Sequence, residues 1–183
     1  MESGEEAGMD QTRAVLLLTD PLRKAESAGS AVAASQRQFV SDADPTVAVL
    51  HFRRGERCLP QAQEALWRLR RRFGWICVAG EGTCAGLALA LAAQLPVDRV
   101  ALLGGSPFGA VRTDGGAIGR ARELARVDAF ARRNLALVVA EILLVNVPDD
   151  ERRKLIRGLG RGADVHRSEG TVDPAALLEP WTE

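Results

Sequence analysis

The residues of this chain that could do chemistry gather around one glycine-rich loop. It reads Gly80-Glu81-Gly82-Thr83-Cys84-Ala85-Gly86, between the apolar run 75–79 (WICVA) and the apolar stretch 84–94. A chain turning sharply from a buried strand into a helix needs glycines, for unusual dihedrals and for close backbone approach. The helix that follows presents free amide groups at its N-terminus, and these favour an anion or an oxyanion. Cys84 in the same loop is a candidate nucleophile. Such a nucleophile needs a base, usually a histidine held by a carboxylate. The chain has only two histidines, His51 within TVAVLHF and His166 within ADVHR, and an acidic pair at Asp149 and Asp150.

Other chemistry fits the same residues. Gly80, Gly82 and Ala85 satisfy the GxGxxA pattern of dinucleotide binding. That reading also wants an acid at the end of the next strand for the ribose hydroxyls, and Leu103-Gly104-Gly105-Ser106 stands there instead. The loop also reads as a turn that only packs the fold, since free cysteine is among the most buried residue types. Asp149 and Asp150 fit the first turn of a helix, where the dipole stabilises carboxylates. The arginines at 68, 70, 71 and 72 read as a solvated helix end.

These residues must be positioned by alternating elements. Near-continuous apolar runs at 13–20, 46–52, 75–79, 99–103 and 141–147, with a weaker one at 163–167, predict strands buried on both faces. Helical patterns fill 61–72, 84–94, 119–138 and 149–158. Strand–helix alternation predicts right-handed crossovers and an α/β three-layer α/β/α sandwich on a mainly parallel sheet. Residues 1–11 read as a disordered tail and 12–183 as a single domain, with Trp181 as an anchor for the C-terminus.

Composition narrows the partners. Lysine plus arginine equals aspartate plus glutamate, 24 each, so charge argues for neither nucleic acid nor membrane. Only Lys24 and Lys154 are lysines, an arginine bias of the kind a GC-rich bacterial genome produces. Three cysteines at Cys58, Cys77 and Cys84 match neither a disulfide framework nor a zinc pattern, and a reduced cytoplasmic setting is expected, with no metal. A small-molecule ligand and a second copy of the chain remain as candidate partners.

The loop and its flanks resemble the α/β-hydrolase family, whose nucleophile elbow is G-x-S-x-G before a small-residue helix. Residues 12–20 resemble the early strand before the oxyanion loop, Val147-Pro148-Asp149-Asp150 the loop that carries the acid, and 163–171 the last strand and histidine loop. The elbow aligns in two registers. In Gly80-Glu81-Gly82-Thr83-Cys84 the nucleophile position is Gly82, which has no side chain; this register is favoured, because the other places Glu81 in the strand near the core. In Gly82-Thr83-Cys84-Ala85-Gly86 it is Cys84, as in the cysteine elbow of dienelactone hydrolases. The family's histidine loop reads Ser168-Glu169-Gly170-Thr171-Val172 here, and the early strand ends Leu18-Thr19-Asp20-Pro21 where the family shows His-Gly. The resemblance thus implies a catalytically degenerate fold without cofactor, a pseudoenzyme binding a ligand near Gly80, Gly82, Thr83 and Ala85. The alternative is a cysteine hydrolase of esters, lactones or thioesters using Cys84 with Asp150 or His166.

Overall fold

The computed structural model of the chain describes residues 13–19, 46–52, 57–104, 118–170 and 172–179. The apolar runs become six strands: β1 (Arg13–Leu18), β2 (Thr46–Leu50), β3 (Trp75–Glu81), β4 (Arg99–Leu103), β5 (Glu141–Val145) and β6 (Asp164–Ser168). They form one sheet in the order β2-β1-β3-β4-β5-β6, and every neighbouring pair is parallel. Helices α1 (Cys58–Arg70), α2 (Ala85–Ala92), α3 (Ile118–Asn134) and α4 (Asp149–Gly158) lie in the connections that follow β2, β3, β4 and β5. Those four connections all step across the sheet in one direction. A right-handed crossover therefore puts all four helices on the same face.

The buried side chains follow from this. Alternate residues of a strand point to opposite faces. Leu16, Ile76, Val78, Val100 and Ile142 share one core with Leu66 of α1, all of α2 except its glycine, Leu124 of α3 and Leu155 of α4. Val15, Leu17, Cys77, Ala79, Ala101 and Leu143 face the other way. Among the described residues, they pack against Leu177 and Leu178 of a 3-10 turn at Pro174–Leu178. Helix α2 is buried at every residue, with Leu87, Leu89 and Leu91 fully shielded. It has no polar face because it has no solvent to meet. Truncating any one of these leucines to alanine costs about 2–5 kcal/mol by lost burial and the cavity left behind.

The N-terminal edge of the sheet carries the charges. The Trp75 ring lies between two guanidinium groups, Arg13 at 5.5 Å and Arg99 at 5.0 Å from its centroid. The same arginines donate to the C-terminal segment, Arg13 Nη1 to Leu178 O at 2.8 Å and Arg99 Nη1 to Glu179 O at 2.5 Å. Arg99 also pairs with Glu141. The C-terminal anchor is thus Leu177, Leu178 and these two arginines; the expected anchor, Trp181, falls outside the described residues. So does the tail at 1–11.

Several element ends differ from the sequence reading. β3 runs two residues past Ala79, because Gly80 and Glu81 still have strand partners: Leu18 pairs with Gly80, and Leu103 with Glu81. β5 stops at Val145 because Asn146 takes φ +53, a left-handed conformation that asparagine tolerates better than most residues. β2 stops at Leu50, leaving His51 and Phe52 beyond the strand. The helix read at 119–138 ends at Asn134 and closes with a 3-10 turn at Leu135–Leu137.

Helix α3 buries a carboxyl. Asp128 is 8% exposed, and its Oδ1 has no hydrogen-bond partner among the described residues. Burial raises its pKa from 3.8 to about 7, with Arg132 opposing. The folded pKa therefore exceeds the unfolded one. Below pH 4 both states hold the proton; between about 4 and 7 the unfolded chain loses it first, so stability falls as pH rises; above 7 the loss is complete. Asp128→Asn removes this titration. Urea unfolding across pH 4 to 8 should show the variant gaining about 2–4 kcal/mol on the wild type over that span. Parallel profiles for the two proteins would show that Asp128 does not carry the effect.

Candidate functional site at the switch point of the sheet

The chain steps from β1 to β2 on one side, then crosses back over β1 to β3. The strand order therefore reverses between β1 and β3. In open parallel sheets, ligands bind in the crevice outside the carboxyl ends of the strands at such a reversal. Thr19, which follows β1, and the glycine-rich loop, which follows β3, flank it.

The loop makes a sharp elbow. β3 ends at Glu81, Gly82 takes φ +55, a 3-10 turn spans Gly82–Cys84, and Ala85 opens α2. Gly80 is needed for closeness: a Cβ there would lie 2.5 Å from the Cys84 carbonyl oxygen and 3.0 Å from Ala85 Cα. Gly82 is needed for its dihedral, since a side chain is disfavoured at that φ by about 1–2 kcal/mol. Glu81, Gly82 and Thr83 are half-buried at the turn, and Ala85 is fully buried. Glu81 is thus a strand residue even though the sharp turn lies at Gly82, so the burial cost set against a strand Glu81 does not separate the two registers. The left-handed residue does distinguish positions in the elbow, and it is Gly82.

Cys84 has no exposed surface, and its Sγ–H donates to the Thr19 carbonyl oxygen at 3.3 Å. That oxygen accepts a hydrogen bond but cannot take the proton away. Thr19 also uses its hydroxyl, which lies 3.0 Å from Leu50 O and 3.4 Å from His51 Nδ1. His51 is exposed at the carboxyl end of β2. Sequence reading treated it as part of an apolar run; the only hint was its place just before the charged Arg53-Arg54 pair.

The other chemical residues have different partners. Asp150 is exposed in the first turn of α4, where Lys154 Nζ bonds its Oδ2 at 3.3 Å and holds its carboxyl below the usual range. His166 sits in the middle of β6. Its Nε2 lies 3.2 Å from Glu141 Oε1 and 3.5 Å from Asp164 Oδ2, two carboxylates that open β5 and β6 at the far end of the sheet. The loop after β6 is fixed by Asn146, whose Oδ1 accepts from Gly170 N at 3.0 Å and whose Nδ2 donates to Gly170 O at 2.7 Å. Cys84, Asp150 and His166 are thus held by three separate sets of neighbours. Two other thiols are buried: Cys58, which burial raises to about 11 although Arg120 contacts its sulfur at 2.7 Å, and Cys77 in the sheet. Among the described residues no three His, Cys, Asp or Glu side chains gather as metal ligands, and no helix is long and apolar enough to cross a membrane.

No protein-family model and no curated protein sequence matches the chain. Solved structures do. A structure of the metagenome-derived lipolytic enzymes LipS and LipT is similar with a TM-score of 0.62 at 14% identity, over 91% of this chain and 87% of that one. The monoacylglycerol lipase of Paleococcus ferrophilus gives a TM-score of 0.59 at 11% identity, over 86% and 84%. The esterase domain of a Rhodothermus marinus protein gives 0.52 at 15% identity, over 86% and 76%. With the parallel six-stranded sheet, these likenesses show an α/β-hydrolase fold.

The elbow's packing can be tested directly. Gly80→Ala should destabilise the protein by about 3 kcal/mol, because its Cβ meets backbone that cannot swing away. Gly74→Ala, where nothing lies within 4 Å of the new methyl, is the control and should leave the urea midpoint nearly unchanged. Equal midpoints for the two variants would show that strand and helix are not in contact at Gly80.

Proposed function

We propose that this chain, which carries the α/β-hydrolase fold, has lost the hydrolase reaction and acts by binding a small molecule at the switch point between β1 and β3. One observation carries the reading: the left-handed residue at the turn of the elbow is Gly82. A nucleophile elbow exposes its reactive atom from that strained position, and glycine has none to expose. Cys84, two residues on, is buried with its proton directed at a carbonyl oxygen. The end of β6 and the stretch after it read Ser168-Glu169-Gly170-Thr171-Val172, without an imidazole. Asp150 is engaged by Lys154, and His166 by carboxylates at the other end of the sheet.

What is retained favours binding. At the switch point, the elbow and the turn before α2 form a frame built on rigid elements, with Gly80 and Ala85 closing strand against helix and Gly82 and Thr83 half-buried at the turn. The ligand is a small molecule rather than nucleic acid, since the chain has no net charge to attract phosphates.

The test is hydrolysis of short p-nitrophenyl esters and of a lactone by the wild type and by Cys84→Ala, alongside alkylation of the native protein with iodoacetamide. We expect turnover within about tenfold of the buffer rate, unchanged by the substitution, and slow alkylation at Cys84, because a buried thiol is inert. Robust turnover abolished by Cys84→Ala would instead establish a cysteine hydrolase.

A further inference from the structure

Helix α2 consists of alanine, leucine and glycine alone, and every one of its residues is buried. Helix α3 packs against it and turns a narrow face inward: Leu124, Val127, Asp128 and Ala131, at the three- and four-residue spacing of one helix face. The other residues of α3 are exposed or half-buried, with the half-buried Phe130 at the margin of the contact. Three apolar side chains and a carboxyl therefore dock this helix. The carboxyl is the odd member. Asp128 Oδ1 is shielded from solvent and has no hydrogen-bond partner among the described residues. A neutral carboxyl tolerates such a place far better than a carboxylate does.

The charges nearby do little to offset this. Helix α2 has none, and the charge set against Asp128 is Arg132, one turn further along α3. On α1, Glu64 and Arg68 pair with each other at the surface, and Arg70 donates to Gly74 O and Pro96 O. Arg120 and Glu123 are engaged at the first residue of α1, where Arg120 contacts Cys58 Sγ and Glu123 accepts the Cys58 N–H. Those contacts hold the N-terminal end of α3. Its C-terminal end runs into the buried Leu135, which lies tight against Gly158 of α4. Both ends are pinned, and the unpaired carboxyl sits between them.

We propose that the contact between α2 and the middle of α3 is a pH-sensitive latch: closed while Asp128 keeps its proton, and opened, with the sheet and α2 still folded, when the carboxylate forms and moves out to water. Burial raises the Asp128 carboxyl from 3.8 to about 7. Freed by opening, it titrates near its ordinary value of about 4. Closure is therefore at full strength below about pH 4 and weakens about tenfold for each pH unit between 4 and 7. Above 7 the group is ionised in both states and the loss is complete. The device is independent of what the elbow binds.

Native-state hydrogen exchange reads the latch, with protection corrected for the intrinsic pH dependence of exchange. In the wild type, amides at 124–134 should be less protected than those of β3 and β4 and should respond little to low urea, as local opening does. Their protection should fall about ten- to a hundredfold from pH 5 to pH 7. Asp128→Asn should abolish that fall. Helix amides that exchange together with the strands, at equal protection and with the same urea dependence, would overturn the latch and leave Asp128 acting on global stability alone. A fall that survives in Asp128→Asn would overturn it as well.

Discussion

Strand β3 and helix α2 meet backbone to backbone at Gly80, where any side chain would run into the Cys84 carbonyl. That approach sets the geometry of the whole site. With the strand so near the helix, the chain has only a few residues in which to reverse, and Gly82 takes up the turn with a positive φ. The same closeness presses Cys84 into the core beside Thr19 and seats α2 against the sheet with every residue buried. The composition of α2, alanine, leucine and glycine throughout, is what a helix needs when it is covered on all sides.

On the proposed reading, the fold keeps the frame of a hydrolase without its reacting groups. Retention of the frame has a physical reason. Elbow, buried helix and parallel sheet are one packed unit, and a change in any of them costs several kcal/mol, against a total stability of about 5–15 kcal/mol for a domain. Groups that act only in chemistry carry no such penalty. A side chain absent from the apex of the elbow, or an imidazole absent from an exposed loop, leaves packing untouched.

Much of the fold was legible in the sequence, because burial on both faces of a parallel sheet leaves unbroken apolar runs. β4 and α4 follow the sequence pattern to the residue. Ends were less legible where partners distant in the chain decide them. β3 is prolonged by Leu18 and Leu103, which supply strand neighbours to residues that look like loop, and β5 is cut short by a backbone conformation that composition does not announce. In the site, glycine spacing identified the elbow and the run 163–167 placed His166 on a strand, but the partners of the two histidines were not legible. His51 continues an apolar run on paper and stands beyond the strand end in space. His166 lies beside a carboxylate of the neighbouring strand, a pairing set by register alone.

Asn146 has a consequence beyond its own turn. Its amide binds Gly170 through both the N–H and the C=O, while its backbone N–H bonds Ser168 O at 3.2 Å. The loops after β5 and β6 are therefore stapled together. In the hydrolase family those loops deliver acid and base. An insertion lengthening the second loop, the simplest route by which an imidazole could be carried to the elbow, would have to unpick the staple first. On the proposed reading, a route back to catalysis would begin with a loss of order in the very loops it must rebuild.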